Sequence, residues 1–338
     1  MRFEFYHSGL ENVPKLSVDG TVENSVHFSH WQGNETPAEV KADTSTEIAL
    51  KVVASPNKDA LTQGIELVTN NHFDTDGVLS VWTMLNGEHA LALRDKLIPA
   101  AEAGDFSEFT NEAAIRASIA IQGSDQPITA DDAGSPLARQ LAGGPVTNDA
   151  RAYELVLPEV ERLLTRTNEY EDLWSGPWQQ IATSIESFER GASVVQKFGD
   201  ANLSLITVAR DVFGPLGYDP ARHSAPFTAI SRYAKGQLFV IAIPYHDGWA
   251  YRIDYPYYSW AETIVRPRIE RRNFAALMSR LNQLETGATG HWNLDTSELA
   301  SAAKFTDNDG KLSASMLLPD QVADAVRREL AASEVATG

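Results

Sequence analysis

Three candidate metal ligands alternate within five residues of the run Asn71-His72-Phe73-Asp74-Thr75-Asp76-Gly77. In an extended segment, residues i, i+2 and i+4 project to the same side. His72, Asp74 and Asp76 are therefore expected to converge on one point. Imidazole with carboxylates suits Mn2+, Mg2+, Fe2+ or Zn2+, and a set without thiolates leans toward the harder ions. Gly77 permits a sharp entry into the following helix, whose free N–H groups and dipole favour an anion. A cation beside a helix N-terminus would seat a phosphate or a carboxylate. The same residues also have a purely structural reading, with Asp76 as the helix N-cap, Asp74 bracing the turn and His72 on the surface.

Other residues could join this chemistry. His27 and His30, three apart in His27-Phe28-Ser29-His30-Trp31, offer further nitrogen ligands, and Phe28 and Trp31 point to partial burial. His30 is also a candidate general acid. The segment from Tyr245 to Tyr255 is densely aromatic and carries His246 and Arg252. His246 is a candidate ligand or general acid, and Arg252 a candidate bidentate clamp for carboxylate or phosphate. Alternation places Trp249, Tyr251, Ile253 and Tyr255 on one strand face, the pattern of either a core face or a pocket wall. His291-Trp292 falls in the same class. Asp43 stands before an apolar run, where a helix cap is expected, and Asp131-Asp132 sit in a loop rich in Gly and Pro. No Gly-x-Ser-x-Gly elbow, P-loop or dinucleotide glycine fingerprint is present.

The elements that must position these residues can be outlined. Ile65, Leu67 and Val68 form a short apolar run that stops at Asn70-Asn71, as a strand would. From Val78 the spacing becomes helical, with Val78, Leu79, Val81, Trp82 and Leu85 on one face and Asn86-Gly87 at the end. Strand, acidic loop and helix open an α/β unit. Further helices are expected over Glu88–Ala103, closed by Gly104, and over Glu112 to about Ile121. The run Ile48–Val53 fits a strand or a short helix. The middle of the chain is helical, with a break expected at Pro158 and an amphipathic stretch over Ile181–Val195. Phe227–Arg232, Gln237–Ile243 and Trp249–Tyr255 are expected as strands, with His246-Asp247-Gly248 as a hairpin turn. The fold class is α/β or α+β. Residues 1–215 are expected to form the α/β core with the acidic loop, and residues 216–338 a β-hairpin with helices that covers the substrate.

The chain has 338 residues, with 28 basic and 46 acidic side chains and a net charge of −18. A surface this negative repels nucleic-acid backbones and anionic headgroups, so a long nucleic acid is not an expected partner. Cysteine is absent, which removes disulfides, thiolate metal sites and cysteine nucleophiles. No segment approaches the ~20 apolar residues needed to cross a bilayer, and no signal peptide opens the chain. A cytoplasmic protein is expected, and a homodimer is compatible with the sequence.

The strand followed by His72-Phe73-Asp74-Thr75-Asp76-Gly77 and an apolar helix resembles the first motif of the DHH-type phosphoesterases. That superfamily includes single-strand exonucleases, oligoribonucleases and manganese pyrophosphatases. The resemblance implies a two-metal site, usually manganese, with His72, Asp74 and Asp76 as ligands. The family's second motif, a single Asp after a later strand, would fall on Asp125, following Ile119-Ala120-Ile121-Gln122-Gly123. The Asp-His-His triplet that names the family has no counterpart in this chain. The segments Ser29-His30-Trp31, Asn71–Gly77 and Tyr245–Trp249 together resemble a bacterial family of unknown function. The resulting expectation is a metal-dependent hydrolase of a small anionic substrate, with a phosphoester as the leading case. The alternatives are a biosynthetic metalloenzyme of other chemistry, or a non-catalytic ligand-binding protein whose acidic loop only caps helices.

Overall fold

The computed structural model describes residues 1–124, 134–213, 225–295 and 299–335. The chain divides into two compact units, Met1–Gln179 with Trp260–Arg268, and Gln180–Ser259 with Ile269–Gly338. Among the described residues, no helix is long and apolar enough to cross a membrane.

The first unit holds a four-stranded sheet of β1 (Arg2–Phe3), β2 (Leu16–Val18), β3 (Val26–Phe28) and β4 (Leu67–Thr69), in the order β1-β4-β2-β3. Every pairing in it is parallel. All of β2 and β4 is buried, as parallel strands covered on both faces require. Parallel neighbours normally need a crossover of a dozen or more residues, yet β2 returns to β3 through residues 19–25 alone. Two left-handed residues, Asp19 at φ 65° and Asn24 at φ 55°, make so short a link possible. The Lys15 ammonium donates to the carbonyls of Glu11 and Asn24 beneath it.

Six helices of this unit bear on the site: α1 (Ser45–Ala54), α2 (Lys58–Thr62), α3 (Thr75–Asn86), α4 (Glu88–Leu91), α5 (Arg94–Asp105) and α6 (Glu112–Gln122). The run Ile48–Val53 is thus helical. The Thr44 hydroxyl accepts from the Glu47 N–H at 3.2 Å, half of a capping box that starts α1. Helix α3 is buried from Thr75 through Met84 rather than on one face only, because α1 and α5 both pack against it. The helix expected over Glu88–Ala103 is broken in two at Ala92-Leu93. Gly104 does not close it but lies in its last turn, where a Cβ would sit 2.5 Å from Thr75 Cβ. Glycine is there to let α5 approach α3. The break expected at Pro158 is present, as a 3-10 turn over Leu157–Glu159.

The second unit holds a six-stranded sheet of β5 (Val194–Phe198), β6 (Leu203–Thr207), β7 (Leu238–Tyr245), β8 (Gly248–Asp254), β9 (His291–Leu294) and β10 (Ser301–Thr306), in the order β5-β6-β7-β8-β10-β9. Only β6 and β7 run parallel. Strand β7 is apolar on both faces: Leu238, Val240 and Ala242 join one core, and Phe239, Ile241 and Ile243 the other. The helices Ala275–Leu284 and Pro319–Val335 cover the first face. The segment expected as a strand over Phe227–Arg232 is instead the helix Phe227–Tyr233. Its aromatic and β-branched content favours a strand, but Pro226, at φ −56°, starts a helix that buries Phe227 and Ile230. The amphipathic stretch expected over Ile181–Val195 is helical only to Glu189, and Val194 already belongs to β5.

Candidate metal centre

Parallel sheets gather ligand-binding residues beyond the carboxyl ends of their strands, and this one does so three times. Asp19 follows β2, Ser29-His30 follow β3, and Asn70–Asp74 lead from β4 into α3. Asp105, the last residue of α5, completes the set.

The side chains form two groups that share Asp19. In the first, Asp19, His30, Asp76 and Asp105 each offer one ligand atom, all within 4.8 Å of one another. His30 Nε2 lies 3.1 Å from Asp105 Oδ2, 3.5 Å from Asp19 Oδ1 and 3.7 Å from Asp76 Oδ2. The second group is Asp19, His72 and Asp74. Here His72 Nε2 lies 2.8 Å from Asp19 Oδ2 and 3.0 Å from Asp74 Oδ2. The groups differ in access. His30 and Asp19 are sealed, whereas the His72 and Asp74 side chains are 28% and 27% exposed.

Both imidazoles are turned the same way. His30 Nδ1 is 2.6 Å from the carbonyl oxygen of Asp43, and His72 Nδ1 is 2.9 Å from Asn71 Oδ1. Because a carbonyl only accepts, each Nδ1 carries a hydrogen and each Nε2 is the ring atom turned toward the carboxylates. This is how histidines that ligate metals are oriented.

Four buried atoms here make no well-aligned hydrogen bond to a described residue, although His72 Nε2 and Asp19 Oδ2 lie 2.8 Å apart and His30 Nε2 and Asp105 Oδ2 3.1 Å apart. Burying four carboxylates against only two imidazoles is expensive. A divalent ion in each group would answer these atoms, so the residues present fit such ions. Without one, the titrations are strained. Burial, then the Asp19 charge, raises Asp76 to about 7. Burial and the Asp74 and Asp76 charges hold Asp105 well above the usual carboxylate range. Burial would raise Asp19 too, but His72 and His30 outweigh it and hold it low.

Helix capping accounts for part of the cluster. Asp74, not Asp76, is the N-cap of α3, accepting from the Gly77 N–H at 2.7 Å. Asp76 lies one turn inside and reaches across to α1, accepting from the N–H groups of Ser45 and Thr46 at 2.6 and 2.7 Å. Since α3 begins at Thr75, the strand-like alternation expected across the motif ends before Asp76. His72, Asp74 and Asp76 consequently divide between the two groups instead of meeting at one point. Asp19 and Asp105 cap no helix, and capping leaves them unexplained.

The surrounding packing is tight. The Asn70 side chain accepts from the Gly20 N–H and donates to the Tyr153 hydroxyl, which in turn donates to the His72 carbonyl. A Cβ on Gly20 would lie 2.1 Å from Asn71 Oδ1, so only glycine fits between Asp19 and the asparagines. Thr75 donates to Gln122, and Gln122 donates to the Gly104 carbonyl, tying the ends of α3, α5 and α6 together.

The remaining sequence candidates lie elsewhere. Asp43 is not the cap of α1. Its carboxylate accepts from the N–H groups of Ile264, Val265 and Arg266 and from the Arg266 guanidinium. His27 is engaged with the backbone of Val22 and Glu35. His246 occupies the two-residue turn between β7 and β8 at φ 49°, and Arg252 binds Asp254 at 2.9 Å on β8, both within the second unit. Tyr251, Ile253, Tyr255 and Trp292 are core residues there. Asp125, Asp131 and Asp132 lie outside the described residues. The segment Ile119–Gln122, which the family resemblance would make a strand before Asp125, ends α6, the helix expected over Glu112 to about Ile121. Asp19 and Asp105 carry no local sequence signal of a site. Asp19-Gly20 resembles an ordinary turn, and Asp105 an ordinary helix end.

Fold and site together define an α/β protein with a buried carboxylate–histidine cluster, suited to a divalent ion, at the carboxyl edge of a parallel sheet. The chain belongs to a family of unknown function, DUF6687, whose model matches residues 1–335. No curated protein matches it. Among solved structures, it is similar to the pGpG-specific phosphodiesterase PggH from Vibrio cholerae, with a TM-score of 0.38 and 11% identity over 94% of this chain and 99% of that one.

Proposed function

We propose that this protein is a divalent-metal-dependent hydrolase of a small anionic substrate, with a phosphoester as the bond cleaved. The observation that supports this most is the convergence of ligand atoms from Asp19, His30, Asp76 and Asp105, and from Asp19, His72 and Asp74, each set within 4.8 Å. Carboxylates with two imidazoles, and no thiolate in the chain, favour Mn2+, with Mg2+, Fe2+ or Zn2+ as substitutes. A bound divalent pair would supply an activated water and neutralise charge at the scissile centre. Asp19 reaches both groups and would bridge them. Asp43 and Asn71 hold the histidines in the ligating tautomer, and Asp76 is held in place by the N-terminus of α1. The exposed side of the His72–Asp74 group is where substrate would enter. The phosphoester preference rests on the two adjacent groups and on the His72-x-Asp74-x-Asp76-Gly77 motif. The net charge of −18 argues against a long nucleic acid as the substrate.

The test is hydrolysis of p-nitrophenyl phosphate and bis(p-nitrophenyl) phosphate by the purified protein with Mn2+. Release of p-nitrophenol that EDTA stops and that Asp105→Asn lowers at least ~100-fold is expected. A protein that binds Mn2+ but cleaves neither ester, nor any small phosphoester in a panel, would be a binding protein instead.

A further inference from the structure

Two indole rings packed against the histidines of the cluster also carry buried orphan atoms. These are Trp31 Nε1 and Trp260 Nε1, which have no partner among the described residues. Their rings pack against the two histidines, one to each group. The Trp31 ring centroid is 5.3 Å from that of His72, and the Trp260 centroid is 5.0 Å from that of His30. The two indoles also touch each other, at 4.9 Å.

The chemistry of these two atoms is the opposite of the other four. A carboxylate oxygen or an imidazole Nε2 is satisfied by a cation. An indole N–H is a donor only and repels one. Whatever satisfies it must bring an acceptor, and an unpaired buried donor is costly enough that native proteins seldom leave one without a purpose. A metal-bound oxyanion supplies such an acceptor, beside the ions that answer the other four atoms.

Both rings are firmly placed. Trp31 follows His30, and its backbone N–H donates to the Ser29 hydroxyl at 3.1 Å. Trp260 opens the segment Trp260–Arg268, which the Asp43 carboxylate grips through the N–H groups of Val265 and Arg266 at 2.8 and 3.0 Å. The Arg266 guanidinium adds bonds to Glu102 and Glu108 at 2.8 and 2.7 Å.

We propose that Trp31 and Trp260 are the anion-binding donors of this site, their indole N–H groups bonding an oxygen of the oxyanion held at the metal centre. This rests on the metal-dependent reading above and names the substrate feature recognised: a tetrahedral or planar oxyanion, bound by neutral donors beside the ions.

The probe is inorganic phosphate, titrated calorimetrically into the Mn2+-loaded protein, with metal content measured in parallel. Trp31→Phe and Trp260→Phe keep a ring and remove only the donor. Each is expected to weaken phosphate binding about fivefold to tenfold with metal content unchanged, as loss of one hydrogen bond implies. Unchanged phosphate affinity in both variants overturns the assignment. Loss of metal from the Phe variants also overturns it, since the rings would then only buttress the histidines. So does a loaded wild-type protein that binds no phosphate. The hydrolase reading fails separately, through absence of ester cleavage by a protein that binds both metal and phosphate.

Discussion

Replacement of Asp19 by Asn is expected to empty both metal groups at once. Asp19 faces His30 through Oδ1 and His72 through Oδ2, so its charge serves both. Its backbone is left-handed, at φ 65°, a region that Asn tolerates better than other non-glycine residues. The variant therefore keeps shape and backbone while losing charge, and a neutral amide replaces the oxygen facing His72. Mn2+ affinity should fall at least ~100-fold at each group, about 3 kcal/mol. Asp105→Asn should affect only the buried group around His30, because Asp105 is no part of the His72 group. Elemental analysis after dialysis reads both outcomes. An Asp19→Asn protein that still retains its ions would remove the bridging role.

The second large effect is an opposite dependence on pH with and without metal. Burial and the Asp19 charge raise Asp76 to about 7. Between about pH 4 and 7 the folded protein thus holds a proton that the unfolded chain has released, so stability falls as pH rises through that window. His72 acts with the same sign. Burial lowers it, but Asp74 and Asp19 outweigh burial and push it up to about 12, so its contribution is complete below pH 6.5 and fades toward 12. Asp19, held low, matters only on the acid side, where its contribution is lost as pH falls below the ordinary carboxylate value. Metal binding reverses the trend, because ligands must release protons to bind a cation. In thermal melts the apo protein should have a lower Tm at pH 7.5 than at pH 5.5. The gap between Mn2+ and EDTA samples should widen over the same range. A gap that is independent of pH would contradict protonated carboxylates in the metal-free cluster.

Much of the site was legible where the ligands are close in sequence. His72, Asp74 and Asp76 stand out by spacing, and His30 by its unusual neighbours. Asp19 and Asp105 do not, because tertiary structure brings them in. The pairing of β2 with β4, Leu16 against Val68 and Ser17 against Thr69, sets Asp19 beside a motif more than fifty residues later. Asp105 arrives only because Gly104 lets α5 approach Thr75. A local cue existed for α1, since Thr44-x-x-Glu47 is a capping-box pattern that decides for helix over strand. The β-rich second half followed from alternation, and its exception, Phe227–Tyr233, is a short helix made of strand-forming residue types. Which of the two structural roles each acid plays could not be read from spacing alone. Asp74 and Asp76 both bond helix N–H groups, yet they also face histidines whose Nε2 atoms are turned toward them.

The most direct measurement is the metal content of the wild-type protein, loaded with Mn2+, dialysed and analysed by plasma emission spectrometry against protein concentration. Two ions per chain are expected, one for each group meeting at Asp19, with the ion near His72 and Asp74 removed first by EDTA because those side chains are open to solvent. A protein that retains no divalent ion, and whose melting is unmoved by Mn2+, would contradict the metal centre.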